Sequence, residues 1–158
     1  MAAMIVPEMK GSMEDALLRS SARQVVDVLN LTYSRAISQN QQHRVLLDPK
    51  TGQYRVEQQN EGFGDSRDFL PITDMSELRG QIDSRIVIEL RSLRSEPLEE
   101  QMPEDELMQP SLRDGIHFYP DGTADGCEIV LRDRMGVELV LQLNPITASV
   151  QIVEQEPP

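Results

Sequence analysis

Two carboxylates four residues apart, Asp121 and Asp125, sit in the run Asp121-Gly-Thr-Ala-Asp-Gly126. Oxygen-rich turns of this kind can hold calcium, which takes about six to eight oxygen ligands. This run lacks a closing bidentate glutamate and the length of a dedicated calcium loop. A turn between strands accounts for it, with a calcium site at Asp121 and Asp125 as the alternative. Cys127 is the single cysteine, which excludes an internal disulfide and a multi-cysteine metal centre. It opens an apolar run, with no sequence neighbour placed to lower its pKa, and reads as a small buried hydrophobe. His43 and His117 are the only histidines. Both lie in or beside strand-like runs and read as structural or surface residues rather than general bases. There is no Gly-x-Ser-x-Gly elbow, no phosphate-cradling glycine loop and no His-Glu-x-x-His pair. Tyr54, Phe118 and Tyr119 read as sheet residues rather than base-stacking platforms. The expectation is a protein that is not an enzyme, with no catalytic or cofactor-binding residue and no cofactor.

The bulk numbers narrow the partners. The chain has 158 residues, enough for one domain with a real core. It is 39% hydrophobic but only 4% aromatic, so that core must be aliphatic. Acidic residues number 27 against 15 basic ones, a formal net charge of −12. Such a field repels phosphate backbones and anionic membranes, so nucleic-acid binding is not expected. No stretch reaches the roughly 18 apolar residues needed to span a bilayer.

The elements that would position these residues fall in two blocks. From Ser12 to Gln39, Leu18, Ala22, Val25, Leu29, Tyr33 and Ala36 recur at steps of three and four, a helical stripe that Leu17, Val26 and Ile37 widen. Ser12, with Asp15 three residues on, is the expected N-cap, and Gln39-Asn40-Gln41-Gln42 the expected end. Strand-like periods follow. Arg44–Leu47, the turn Asp48-Pro-Lys-Thr-Gly52 and Gln53–Glu57 make a hairpin. Residues 58–84 are mostly polar, with Phe69-Leu-Pro-Ile72 as an apolar anchor, and Arg85–Leu90 is the next strand. Residues 96–110 carry six acidic residues, three prolines and no basic residue, the composition of a mobile loop. Gly115–Tyr119, the turn at Pro120–Thr123, Cys127–Leu131, Gly136–Leu143 and Ser149–Val153 read as a meander of hairpins. The predicted class is α+β: one long N-terminal helix packed on antiparallel sheet.

Three stretches, in this order, resemble a known family. Ala22-Arg23-Gln24-Val25 with Leu31-Thr-Tyr-Ser-Arg-Ala-Ile37, the hairpin Val45-Leu-Leu-Asp-Pro-Lys-Thr-Gly-Gln-Tyr54, and Ile116-His-Phe-Tyr-Pro-Asp-Gly-Thr-Ala124 are similar to motifs of type IV pilin-like proteins of the GspH/FimT branch. The apolar start Met1-Ala-Ala-Met-Ile-Val6 before Pro7 resembles the back half of that family's membrane helix. The glycine-Phe-Thr-Leu-Ile-Glu processing signature is missing.

The resemblance implies a pilin-like fold, with 1–11 a remnant of the membrane-proximal helix, 12–158 one globular domain and Met1 an expression start. It implies a structural minor pseudopilin of a type II secretion pseudopilus. Other pseudopilins or minor pilins would be the partners. The full-length protein would be processed and methylated, anchored in the inner membrane by the missing helix, with this domain in the periplasm. FimT-like DNA-uptake pilins tend to carry a basic C-terminal region, whereas Val150-Gln-Ile-Val-Glu-Gln-Glu-Pro-Pro158 is acidic. A FimT-like minor pilin in DNA uptake is thus the alternative, beside a calcium-dependent surface recognition module built on Asp121, Asp125 and the 96–110 loop.

Overall fold

The helical stripe begun at Leu18 becomes part of one helix, α1 (Ile5–Ser38), of 34 residues. The computed structural model describes residues 5–60, 68–92 and 115–155, with the backbone path alone for 5–12. The expected loop at 96–110 lies outside the described residues. At 1.5 Å per residue, α1 is roughly 50 Å long. From 12 to 38 it contains neither glycine nor proline. Ser12 is not its cap: an N-cap needs extended backbone, and the chain is already helical from Ile5. Pro7 falls in the first turn, where a backbone N–H would have no intrahelical acceptor in any case. The other end is a Schellman closure. Asn40 takes φ +52°, Gln41 N–H donates to the Ala36 carbonyl at 3.1 Å, and Asn40 N–H to that of Ile37 at 3.2 Å.

Two antiparallel sheets receive the buried face of α1. The first contains β1 (His43–Leu47), β2 (Gln53–Gln59), β3 (Phe69–Pro71), β4 (Arg79–Gln81) and β6 (Ile116–Phe118). Its main order is β3-β2-β1-β6, with β4 also paired to β2. A short 3-10 turn, Ser76–Leu78, precedes β4. The second has the order β5-β7-β8-β9, from β5 (Val87–Ser92), β7 (Cys127–Arg132), β8 (Glu138–Leu143) and β9 (Val150–Gln155). The expected C-terminal meander holds for β7-β8-β9. The strand before it does not join: β6 pairs with β1, so the Pro120–Thr123 turn carries the chain from one sheet to the other. An isolated bridge, Phe118 with Ala124, links its two sides, and the Tyr119 N–H donates to the Thr123 carbonyl at 2.9 Å.

Register explains the core. Val45 faces Val56 and Ile116 across the first sheet, and His43 faces Phe118. In the second, Leu90, Ile129, Leu141 and Ile152 lie in one row, and Ile88, Leu131, Leu139 and Glu154 in the next. Onto these rows α1 packs Leu18, Ala22, Val25, Val28, Leu29 and Ala36, all buried. Ile37 was expected to widen the stripe but is 43% exposed. It sits in the last turn of α1, near the Gly122 turn. Ser21 and Thr32 fill stripe positions instead, and the Thr32 hydroxyl donates to the Val28 carbonyl at 2.6 Å. No helix among the described residues is long and apolar enough to cross a membrane.

Candidate functional site

The connection from β6 to β7 holds both expected carboxylates, and each is committed to its own donors. The Asp121 Oδ1 accepts from the Thr123 hydroxyl at 2.6 Å and its backbone N–H at 3.0 Å. These bonds hold the Asp121 carboxyl below the usual range. The Asp125 Oδ2 accepts the His117 N–H at 3.1 Å and lies 2.8 Å from the His117 Nδ1, while its Oδ1 accepts the Tyr119 hydroxyl at 3.0 Å. Burial works to raise the Asp125 pKa, but the bonds from His117 and Tyr119 prevail and keep it low. Asp121 therefore closes the turn, and Asp125 ties β6 to the approach to β7. Among the described residues, no three His, Cys, Asp or Glu side chains gather as metal ligands.

His117 continues a polar ladder across the face of the first sheet turned away from α1. It lies edge-on to Phe69, with ring centroids 5.7 Å apart. The Arg44 guanidinium sits 4.1 Å over the same Phe69 ring, within the range of a cation–π contact. Arg44 also pairs with Glu57 at 2.6 Å, and Arg55 reaches the other Glu57 oxygen at 3.2 Å. Glu57 is buried, and both of its carboxylate oxygens are met by these two guanidinium groups.

Cys127 is fully buried in the row that includes Leu143, and burial, with the Asp125 and Glu128 carboxylates nearby, pushes its thiol up to about 12. A folded chain should therefore resist iodoacetamide at pH 8 and react fully after addition of guanidinium. Rapid alkylation of the native protein would contradict the packing.

His43 is buried on β1. Its Nδ1 lies 2.9 Å from the Gln41 carbonyl, and its Nε2 has no hydrogen-bond partner among the described residues. Burial pushes the His43 pKa below its ordinary value of about 6.5; the Gln41 carbonyl opposes this and the Arg35 charge adds to it. The unfolded chain then takes up this proton first. Stability from neutral His43 is full above about pH 6.5 and is lost as pH falls below it. The urea midpoint should decline from pH 7 toward pH 5.5, and His43→Gln should flatten that slope. An equal slope in the variant would show that His43 does not carry it.

A groove of about 540 Å³ lies between α1 and the flank of the first sheet. Its walls include Asp27, Val28, Leu31 and Ser34 from α1, Tyr54 from β2 and Glu77 from the 3-10 turn. Tyr54 is held there from two sides. The Gln24 side-chain amide donates to its hydroxyl at 2.8 Å. Gly80, its cross-strand partner on β4, leaves room for the ring: a Cβ at that position would lie 2.5 Å from the Tyr54 hydroxyl oxygen. Sequence reasoning missed this groove, because β4 has no alternation and the Tyr54–Gly80 pairing appears only with the register.

A long helix on one face of two antiparallel sheets, with the second a four-stranded C-terminal sheet, is the GspH-like pilin fold. Among solved structures, the minor pseudopilin EpsH from the type II secretion system of Vibrio cholerae superposes with a TM-score of 0.61 at 11% identity, over 86% of this chain and 95% of that one. A second structure of that pseudopilin gives 0.61 and 11% over 92% and 99%. E. coli GspH in solution gives 0.57 at 14% identity over 88% and 89%. No protein-family model matches the sequence, and no curated protein matches it.

Proposed function

We propose that this chain is the periplasmic domain of a minor pseudopilin in a type II secretion pseudopilus, with no catalytic activity. The observation supporting this reading most strongly is the fold correspondence with EpsH, which extends over nearly the whole of both chains. In this reading an apolar helical segment ahead of α1 anchors the protein in the inner membrane. Helices of neighbouring subunits bundle in the filament core, and the two sheets face outward with their loops toward neighbours or cargo.

Deletion of the gene tests the assignment. Loss of the exported enzymes from the culture supernatant, restored by the full-length gene, is the expected result. Normal secretion would overturn it, and normal secretion with lost DNA uptake would move the protein to the FimT-like alternative. The net charge of −12 gives a second test. No duplex DNA should bind at physiological salt in an anisotropy titration. Salt-sensitive micromolar binding would favour the DNA-uptake pilin.

A further inference from the structure

The groove beside α1 combines an apolar floor with acidic walls. Val28, Leu31 and the Tyr54 ring supply the floor, and the exposed Asp27 and Glu77 supply the charge. No lysine or arginine is among its lining residues. The α1 residues that border it run from Gln24 to Ser34, about 15 Å of helix or nearly three turns. Tyr54 is fixed by Gln24 and made possible by Gly80, so the floor is preformed.

We propose that this groove docks one face of an amphipathic helix from another protein, with leucine-like residues against Val28, Leu31 and Tyr54 and lysine or arginine beside Asp27 and Glu77. A basic side chain with an apolar stem suits both parts of the surface, because the stem covers carbon and the head meets a carboxylate. The charge pattern disfavours two nearer occupants. A second copy of this chain brings a net charge of −12 to an already acidic rim. The chain's own 96–110 stretch has no basic residue to offer. The length of the α1 border favours a helix, which packs along its neighbour by setting ridges into grooves. This inference rests on the assembly reading and names the chemistry of one partner surface.

The test uses the isotope-labelled protein and a peptide of about 18 residues, five helical turns, with leucine on one face and lysine flanking it. Two controls are a peptide with glutamate for lysine and one of unchanged composition reordered to a period of two. Amide shifts confined to Gln24–Ser34, Tyr54 and Glu77 are expected for the lysine peptide alone, weakening as salt rises. The double variant Asp27→Lys, Glu77→Lys should weaken binding about tenfold or more. Leu31→Ser, which keeps every charge, should also weaken it. Each variant is first checked for an otherwise unchanged amide spectrum.

Shifts spread over the acidic surface, equal binding of the reordered peptide, equal affinity of both variants, or no binding at millimolar peptide would each overturn the proposal. A silent groove in a protein whose deletion abolishes secretion removes this inference and leaves the assembly reading intact. A binding groove in a protein whose deletion leaves secretion normal does the reverse.

Discussion

Leu29→Ala is expected to lower the unfolding free energy by about 2–5 kcal/mol, the range for truncating a buried leucine. Leu29 is 1% exposed and lies in the cluster where α1 meets both sheets. Around it, Val25 and Val28 from the helix, Val45 and Ile116 from the first sheet and Ile129 from the second border a single apolar gap. Three layers converge there, so no single element can move inward without losing contact with another. The cavity should remain largely open, which puts the cost toward the upper half of the range. Equilibrium urea denaturation checks it through the midpoint. A midpoint unchanged from the parent would mean that α1 does not use this face to hold the sheets.

Gly52→Ala should cost about 1–3 kcal/mol from the backbone alone, with a steric term added. Gly52 ends the Asp48–Gly52 turn of the first hairpin with φ +76°, where a side chain is strained. A Cβ there would also lie 2.8 Å from the Ile82 carbonyl oxygen. That oxygen belongs to a segment already pinned to the turn, since the Ile82 N–H donates to the Gly52 carbonyl at 2.9 Å. The turn cannot relax by rotating φ without giving up that bond and the Gly52 N–H to Asp48 carbonyl bond at 2.8 Å. Thermal unfolding of Gly52→Ala beside Lys50→Ala, a neighbouring exposed turn position, separates the demand at Gly52 from any general effect of substitution in the turn. Equal melting temperatures would remove the argument.

Where one force dominates, these elements could be read from the residues. Apolar periodicity places Leu18, Ala22, Val25 and Leu29 on one face because a helix of that period has a single side to bury. The hairpin from Val45 to Tyr54 was legible because its turn carries proline, an aspartate that caps it and a glycine at the left-handed position. The partition of strands between sheets was not. Ile116, Phe118 and Cys127 look alike as apolar strand residues, and which sheet each joins depends on partners more than 70 residues away in one case, as for Val45 with Ile116. Polar residues at core positions were not legible for a related reason. Thr32 and Ser21 are buried on the helix stripe, and Glu57 is buried between two arginines, by neighbours that a local window does not contain. The Asp121–Asp125 pair shows the converse. Its spacing was visible, but the donors from His117, Tyr119 and Thr123 that occupy the two carboxylates came only with the fold.

The Arg19–Glu154 contact joins residues 135 positions apart in sequence, at 3.1 Å. As an exposed ion pair it adds little stability. It does mark a problem of timing. The apolar face of α1 is made before every described strand, while β8, against which it packs, follows seven of them. Until β7 and β8 are made, Leu18, Val25 and Leu29 have no second sheet to cover them. Long sequence separation of this kind slows folding and exposes sticky surface to neighbouring chains. A chain ended after β7 would retain the helix and the first sheet, yet lack the Leu139, Leu141 and Leu143 wall. Such a fragment should need a chaperone to stay in solution, and the C-terminal hairpin supplied separately should be captured by it.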